Sequence, residues 1–174
     1  MIKIPLPDPQ LADDRVRLRP WRYADAEELV AGWADPDVAR WNAVPTDTSV
    51  EAARRWIGGW SERVKTGISL DLVVVEADSA DLLGEVGVSK FDAQHGSAEM
   101  GFWLRPEARG KGYASAAVGL LAEWTVSAIG VRLLFTRTDP GNTDSAGVLL
   151  RAGFERRGTS AGGHDIWKFI GATS

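Results

Sequence analysis

"RPEARGKGYASAAVGLLAEW", Arg105 to Trp124, is the stretch on which the fold turns. A charged turn holding Gly110 and Gly112 runs directly into an apolar helical pattern. Glycine weakens a helix, so two glycines at a helix start need a reason. The first N–H groups of a helix have no internal partner, and the helix dipole adds partial positive charge at the same spot. The turn therefore reads as an anion site. Its glycines admit a ligand to the backbone, and Arg109 and Lys111 add charge. The plainer reading is an ordinary strand-to-helix turn, since short glycine patterns recur by chance.

Three phosphate patterns compete at the turn. The P-loop pattern fails, because Gly112 follows Lys111 and the upstream glycine is missing. The dinucleotide fingerprint is half met, because Ser115 stands at its third glycine. Arg/Gln-x-x-Gly-x-Gly/Ala is met by Arg109, Gly112 and Ala114. A pyrophosphate suits the geometry that this last pattern describes.

Outward from the turn the chain reads as one domain, residues 1–174. Its fold class is α+β, a mixed α/β sheet flanked by helices, with residues 1–14 as an extended arm holding Pro5, Pro7 and Pro9. "RVRLRPW" alternates in period two and predicts an edge strand stopped near Pro20. "DAEELVAGWAD" predicts a helix with Asp25 as N-cap, and Pro36 ends it or opens a short second one. Thr48 and Glu51 have capping-box spacing ahead of a helix running to about Gly67. "SLDLVVVEA", "LLGEVGVSKF" and "SAEMGFWL" predict three strands joined by short turns, hence antiparallel hairpins. After the Tyr113–Gly130 helix come the strand "VRLLFTRT", the helix "NTDSAGVLLRAGF" closed by Gly153, and a hairpin of "FERRGTS" and "HDIWKFI".

Bulk composition bounds the function classes. The 174 residues carry a net charge of −4, with 44% hydrophobic and 25% charged residues. That balance is globular, and the negative charge argues against a general nucleic-acid binder. No run approaches the ~20 apolar residues of a membrane span, and "MIKIPLPDPQLADD" lacks the apolar core of a secretory signal. A cytoplasmic location is expected, with no membrane partner. Two histidines and no cysteine leave no disulfide framework and a poor basis for a zinc site. His95 and His164, each without a partner pattern, read as surface or substrate-rim residues. The eight tryptophans are expected mainly in the core or in cleft walls.

The segment "AEMGFWLRPEARGKGYASAAVGLLAEW" resembles the central motif of the GCN5-related N-acetyltransferase (GNAT) superfamily. "DPGNTDSAGVLLRAGFERRG" resembles the strand-helix motif that follows it. "RVRLRPWRYADAEEL" and "DPDVARWNAVP" look like the N-terminal part of the ribosomal-protein N-terminal acetyltransferase (RimJ/RimL-like) branch. The resemblance runs from about Arg15 to Phe169. It implies a mostly antiparallel sheet splayed between its fourth and fifth strands, with acetyl-CoA as acyl donor.

Carried over residue by residue, the resemblance puts pyrophosphate-binding N–H groups in Arg109, Gly110, Lys111, Gly112, Tyr113, Ala114 and Ser115. It puts the pantetheine arm along Phe102, Trp103 and Leu104. Asn142 and Ser145 match polar positions of the second motif, and Arg151 stands where a basic side chain could reach a ribose phosphate. Glu99 matches an acidic position common in the branch and is the candidate general base; its plainer reading is a strand-edge ion pair. Glu85 is a second candidate, at the substrate side. Trp41 and Trp56 could line the acceptor cleft. Many relatives place a tyrosine where this chain has Leu149, which leaves Ser145 as the nearest protic group: a candidate acid, or simply a hydrogen bond to CoA. The implied activity is direct acetyl transfer to a primary amine, either a peptide or protein N-terminus or a small molecule, by a monomer or homodimer. The rival readings are a CoA-binding sensor without turnover and a nucleotide-binding oxidoreductase.

Overall fold

The computed structural model describes residues 3–171. Seven strands form one sheet in the order β1-β2-β3-β4-β5-β7-β6. They are β1 (Val16–Arg19), β2 (Ser69–Glu76), β3 (Leu82–Asp92), β4 (Ser97–Leu104), β5 (Leu133–Thr138), β6 (Phe154–Thr159) and β7 (Asp165–Phe169). All neighbours pair antiparallel except β4 and β5, which are parallel. That parallel ladder holds only Ser97–Leu133, Ala98–Leu134 and Glu99–Phe135. From Met100 to Leu104, β4 has no partner on its β5 side. This is the splay that the resemblance implies.

Side chains alternate across β2. Leu70, Leu72 and Val74 join a core with Val86, Val88, Ala98 and Met100 beneath α5 (Tyr113–Trp124), which contributes Ala117, Val118, Leu121 and Ala122. Val73 and Val75 join a second core with Trp21, Trp33, Ile57 and Trp103, beneath α1 (Ala26–Ala34) and α3 (Val50–Gly58). Each face of the sheet therefore has its own helical cover. A fully buried Leu or Val contributes roughly 1.5–3 kcal/mol. The eight tryptophans divide as expected, with Trp21, Trp33, Trp103 and Trp167 buried in these cores.

Helix boundaries show where local signals were overridden. Ser49 caps α3 by accepting from Ala52 N–H at 3.1 Å, so the Thr48–Glu51 box is not formed. The long helix expected to reach Gly67 breaks at Gly59 into α3 and α4 (Trp60–Lys65). Asp25 precedes α1 but does not cap it. Its carboxylate takes Arg19 at 2.7 and 2.9 Å and Arg22 N–H at 2.8 Å. Pro36 opens α2 (Pro36–Trp41), with Asp35 accepting from the Asp37 and Val38 N–H groups. Asn142 caps α6 (Thr143–Arg151). Within the N-terminal arm, Ile4 is buried in the core and Ala12 bridges to Arg17. Met1 and Ile2 lie outside the described residues.

Candidate active site

A cleft of about 1430 Å³ opens where β4 leaves β5. Its walls come from β4, from the start of α5, from α6 and from α2. Gly112 is the N-cap of α5 at φ 83°, and Gly110 sits at φ 75°. Both conformations cost a side-chain-bearing residue roughly 1–2 kcal/mol, which accounts for glycine here. The first intrahelical bond is Ala116 N–H to Gly112 O at 3.2 Å. The N–H groups of Tyr113, Ala114 and Ser115 precede it, and no side chain caps the helix. They belong to residues that line the cleft.

The cleft brings together most of the residues expected at the site. Phe102, Trp103, Leu104, Arg109, Gly110, Gly112, Tyr113, Ala114 and Ser115 line it. So do Glu99, Asn142, Ser145, Arg151 and Trp41. Lys111 does not; it lines a smaller hollow with Glu76 and Asp81. Glu85 and Trp56 do not line the cleft either. Trp56 packs edge-on against Trp21 in the second core, at 5.8 Å between centroids.

Arg109, expected to add charge for an anion, is engaged within the protein. It donates to Leu104 O at 3.0 Å, to Asp35 at 2.9 Å and to Asp37 at 3.2 Å. It ties the turn to the start of α2, and its charge is spent on two carboxylates. Tyr113 hydrogen-bonds Glu76 through its hydroxyl. That bond to a carboxylate holds the phenol above its ordinary pKa. Asn142 accepts from Ser145 N–H at 3.2 Å, so these two residues are joined as a helix cap. Arg151 donates to Ser115 Oγ at 3.1 Å and links α6 to the start of α5. Leu149 is fully buried in the core.

The two candidate carboxylates have opposite electrostatics. Burial pushes Glu99 up, but Arg137 and Lys90 outweigh it and hold the carboxyl below its ordinary value. Arg137 donates at 3.0 and 2.9 Å, and Lys90 Nζ lies 2.7 Å away. Glu85 lies under the tryptophans, where Trp21 Nε1 donates to it at 2.8 Å. Removal from water and the neighbouring Asp71 charge push Glu85 to about 8, and hydrogen bonds from Trp21 and Trp103 offset only part of this. Asp71 is itself raised, chiefly by burial, despite Ser69 at 2.6 Å and Arg63 at 3.6 Å. Burial and the Asp71 charge both favour the protonated form of Glu85, which lies away from the cleft. The expectation that it faces the substrate does not fit this position.

Three cleft cations escaped the sequence reading: Arg40, Lys90 and Arg137. Arg137 was accessible to it, because alternation puts it on the face of Phe135, the partner of Glu99. Lys90 was not, because alternation from Ser89 assigns it to the opposite face. His164 lies on the cleft rim, bonded to Asp139 at 2.6 Å. His95 pairs with Asp92 at 2.7 Å, outside it. Among the described residues, no group of three or more potential ligands could hold a metal ion, and no helix is long and apolar enough to cross a membrane.

A sheet parted beside a helix start that offers unpartnered N–H groups is the arrangement that the resemblance to the GNAT superfamily implies. The family described as Acetyltransferase (GNAT) domain matches residues 15–155, and the chain belongs to it. The chain is 27% identical over 148 residues to a Bacillus licheniformis protein described as uncharacterized N-acetyltransferase p20, covering 85% of this chain and 83% of that one. Among solved structures, RimJ of Mycobacterium smegmatis in complex with CoA-disulfide matches with a TM-score of 0.78 at 22% identity, over 88% of this chain and 81% of that one. The ribosomal-protein-S5-alanine acetyltransferase of Vibrio fischeri matches at 0.78 and 20%, over 91% and 94%. At those identities the likeness is one of fold.

Proposed function

We propose that this protein transfers the acetyl group of acetyl-CoA directly to the α-amine of an acceptor, either a peptide or protein N-terminus or a small molecule. The observation that carries this reading is the convergence, in one cleft, of the Tyr113–Ser115 N–H groups, the unpaired Met100–Leu104 edge and Glu99. It is supported by the CoA-disulfide bound to the RimJ relative and by the ribosomal-protein alanine that the name of the Vibrio fischeri relative gives as its acceptor.

The residues present fit the donor. Open backbone at Gly110, where a Cβ would meet nothing within 4 Å, allows a pyrophosphate close approach. The N–H groups of Tyr113, Ala114 and Ser115 would hold it, helped by the helix dipole. The free edge of β4 would pair with the amides of a pantetheine arm, and an N–H of that edge would donate to the thioester oxygen. Acetyl-CoA supplies the activated acyl group. A thiolate leaving group has a pKa near ~8.5, so protonation of it is helpful rather than required. Ser145, one of several hydroxyl residues that line the cleft, would assist or bond the donor in this reading.

An ammonium cannot attack, so one proton must leave first. Glu99, directly or through one water, receives it in this reading. An α-amine, with an ordinary pKa of ~7.7–8.0, is partly neutral at pH 7 and needs little help from a carboxylate, whereas a Lys ε-amine at ~10.4 is almost wholly protonated. This favours α-amines among the possible acceptors. A panel of amines and N-terminal peptides, followed by thiol release from acetyl-CoA, tests the reading. Amine-dependent release supports it. CoA binding without release across the panel supports a non-catalytic sensor instead.

A further inference from the structure

Taking the cleft as the acceptor site proposed above, its charge at that end has the wrong sign for a bare cationic amine. Glu99 has a side-chain exposure of 14%, and two cations already serve it. Arg137 uses both arms of its fork on it. Lys90 reaches it with one donor, while its side chain remains 64% exposed. An ammonium has three donors, so Lys90 keeps two directed elsewhere. Arg40 lies on the same cleft, over the ring of Trp41 at 4.4 Å, with no carboxylate partner among the described residues. Glu99 offsets one of these three cations; of the other cleft carboxylates, Asp37 pairs with Arg109, Asp139 pairs with His164, and Asp144 stands at the start of α6.

The backbone is bent to bring Lys90 there. Lys90 has φ 52°, at the point where the β3–β4 register breaks between Ser89 and Asp92. Ser89 pairs with Glu99, so both occupy one face of the sheet. In a regular strand the next residue would point to the other face. A non-glycine residue in the left-handed region costs roughly 1–2 kcal/mol. Here it brings an ammonium beside Glu99 that a regular strand would send away. Strain of this kind concentrates at functional sites.

We infer that the acceptor bears an acidic group close to its amine, a carboxylate or phosphate, and that Lys90, supported by Arg137 and Arg40, receives it. Glu99 then orients the amine between cations that are matched to the acceptor's own anion. Lys90 is a specificity-determining residue in this arrangement, and a bare polyamine is a poor substrate.

Three peptides identical except for Asp, Gln or Lys at the second position, assayed for kcat and KM with acetyl-CoA, test this. The Asp peptide is expected to exceed the Gln peptide in kcat/KM by about fivefold or more, mainly through KM, with the Lys peptide lowest. Lys90→Gly keeps the left-handed backbone without strain and removes the charge. It should bring the Asp-to-Gln ratio close to one, and Lys90→Glu should reverse the order of Asp and Lys peptides. Equal rates for the three peptides, or a ratio unchanged in both variants, overturn the inference while the acetyltransferase reading stands. No acetylation of any peptide or small amine overturns both.

Discussion

Arg137 on β5 donates two hydrogen bonds to Glu99 on β4, at 3.0 and 2.9 Å, one step from where the two strands part. The last paired position is Glu99–Phe135, and Arg137 lies two residues beyond it. The pair therefore stands at the closed end of the splay. It fixes the carboxylate beside the gap in which the proposed thioester would lie, and it keeps Glu99 ionised.

Replacing Glu99 by Gln preserves shape and removes the charge. If Glu99 takes the acceptor's proton, kcat falls by ~10²-fold or more with little change in the acetyl-CoA KM. Steady-state rates at pH 7 check this. A near-normal kcat moves the role to water. The loss should shrink as pH rises through the acceptor's own pKa, because more amine is then neutral without help.

Gly112→Val tests the anion cradle. A Cβ at Gly112 would lie 2.7 Å from Arg15 Nη1, the far end of a flexible side chain, and φ 83° strains any L-residue. The expected stability loss is about 1–2 kcal/mol. The acetyl-CoA KM should rise about tenfold or more while circular dichroism reports a folded protein. An unchanged KM removes the pyrophosphate from this turn.

Glu85 gives a pH signature separate from catalysis. Its carboxyl is held at about 8 in the folded protein, against ~4.3 in an unfolded chain. A raised carboxyl pKa means that the folded state retains a proton which the unfolded state releases. Stability from this group is therefore full below about pH 4 and declines as pH rises towards 8. Glu85→Gln keeps an acceptor for Trp21 Nε1 and removes the titration. Denaturant unfolding at pH 5 and pH 8 should show the parent losing more stability than the variant between those values. Parallel losses contradict the raised carboxyl.

Asn142→Ala removes the cap of α6. The expected cost is ~1 kcal/mol, read as a fall of a few degrees in Tm. The Ser145 N–H loses its partner, so a modest rise in acetyl-CoA KM should accompany it.

Much of this architecture was legible in the chain. The glycines of Arg105–Trp124 marked the start of α5, because local φ demands are written in local residues. The alternation of β1 and the hairpin runs of β2, β3 and β4 were equally plain. The splay beside Met100–Leu104 came from resemblance, since periodicity does not report which strand edge is left unpaired. Side-chain engagement across long sequence separations was not legible. Arg109 read as added charge for an anion, and its pairing with Asp35 and Asp37, 74 and 72 residues away, is visible only in the fold. Glu85 looked like a site residue until Trp21, 64 residues away, was found bonded to it. Lys90 was hidden by the register break that turns it round.

The most direct test of the central claim is the position of the label after incubation with acetyl-CoA carrying a labelled acetyl group. The acceptor should be a peptide with both a free α-amine and a lysine, analysed by fragment mass spectrometry beside the enzyme itself. Direct transfer to an α-amine puts the label on the first residue alone and leaves the enzyme unlabelled. Label on the lysine, or carried covalently on the protein, or absent from every acceptor offered, contradicts it.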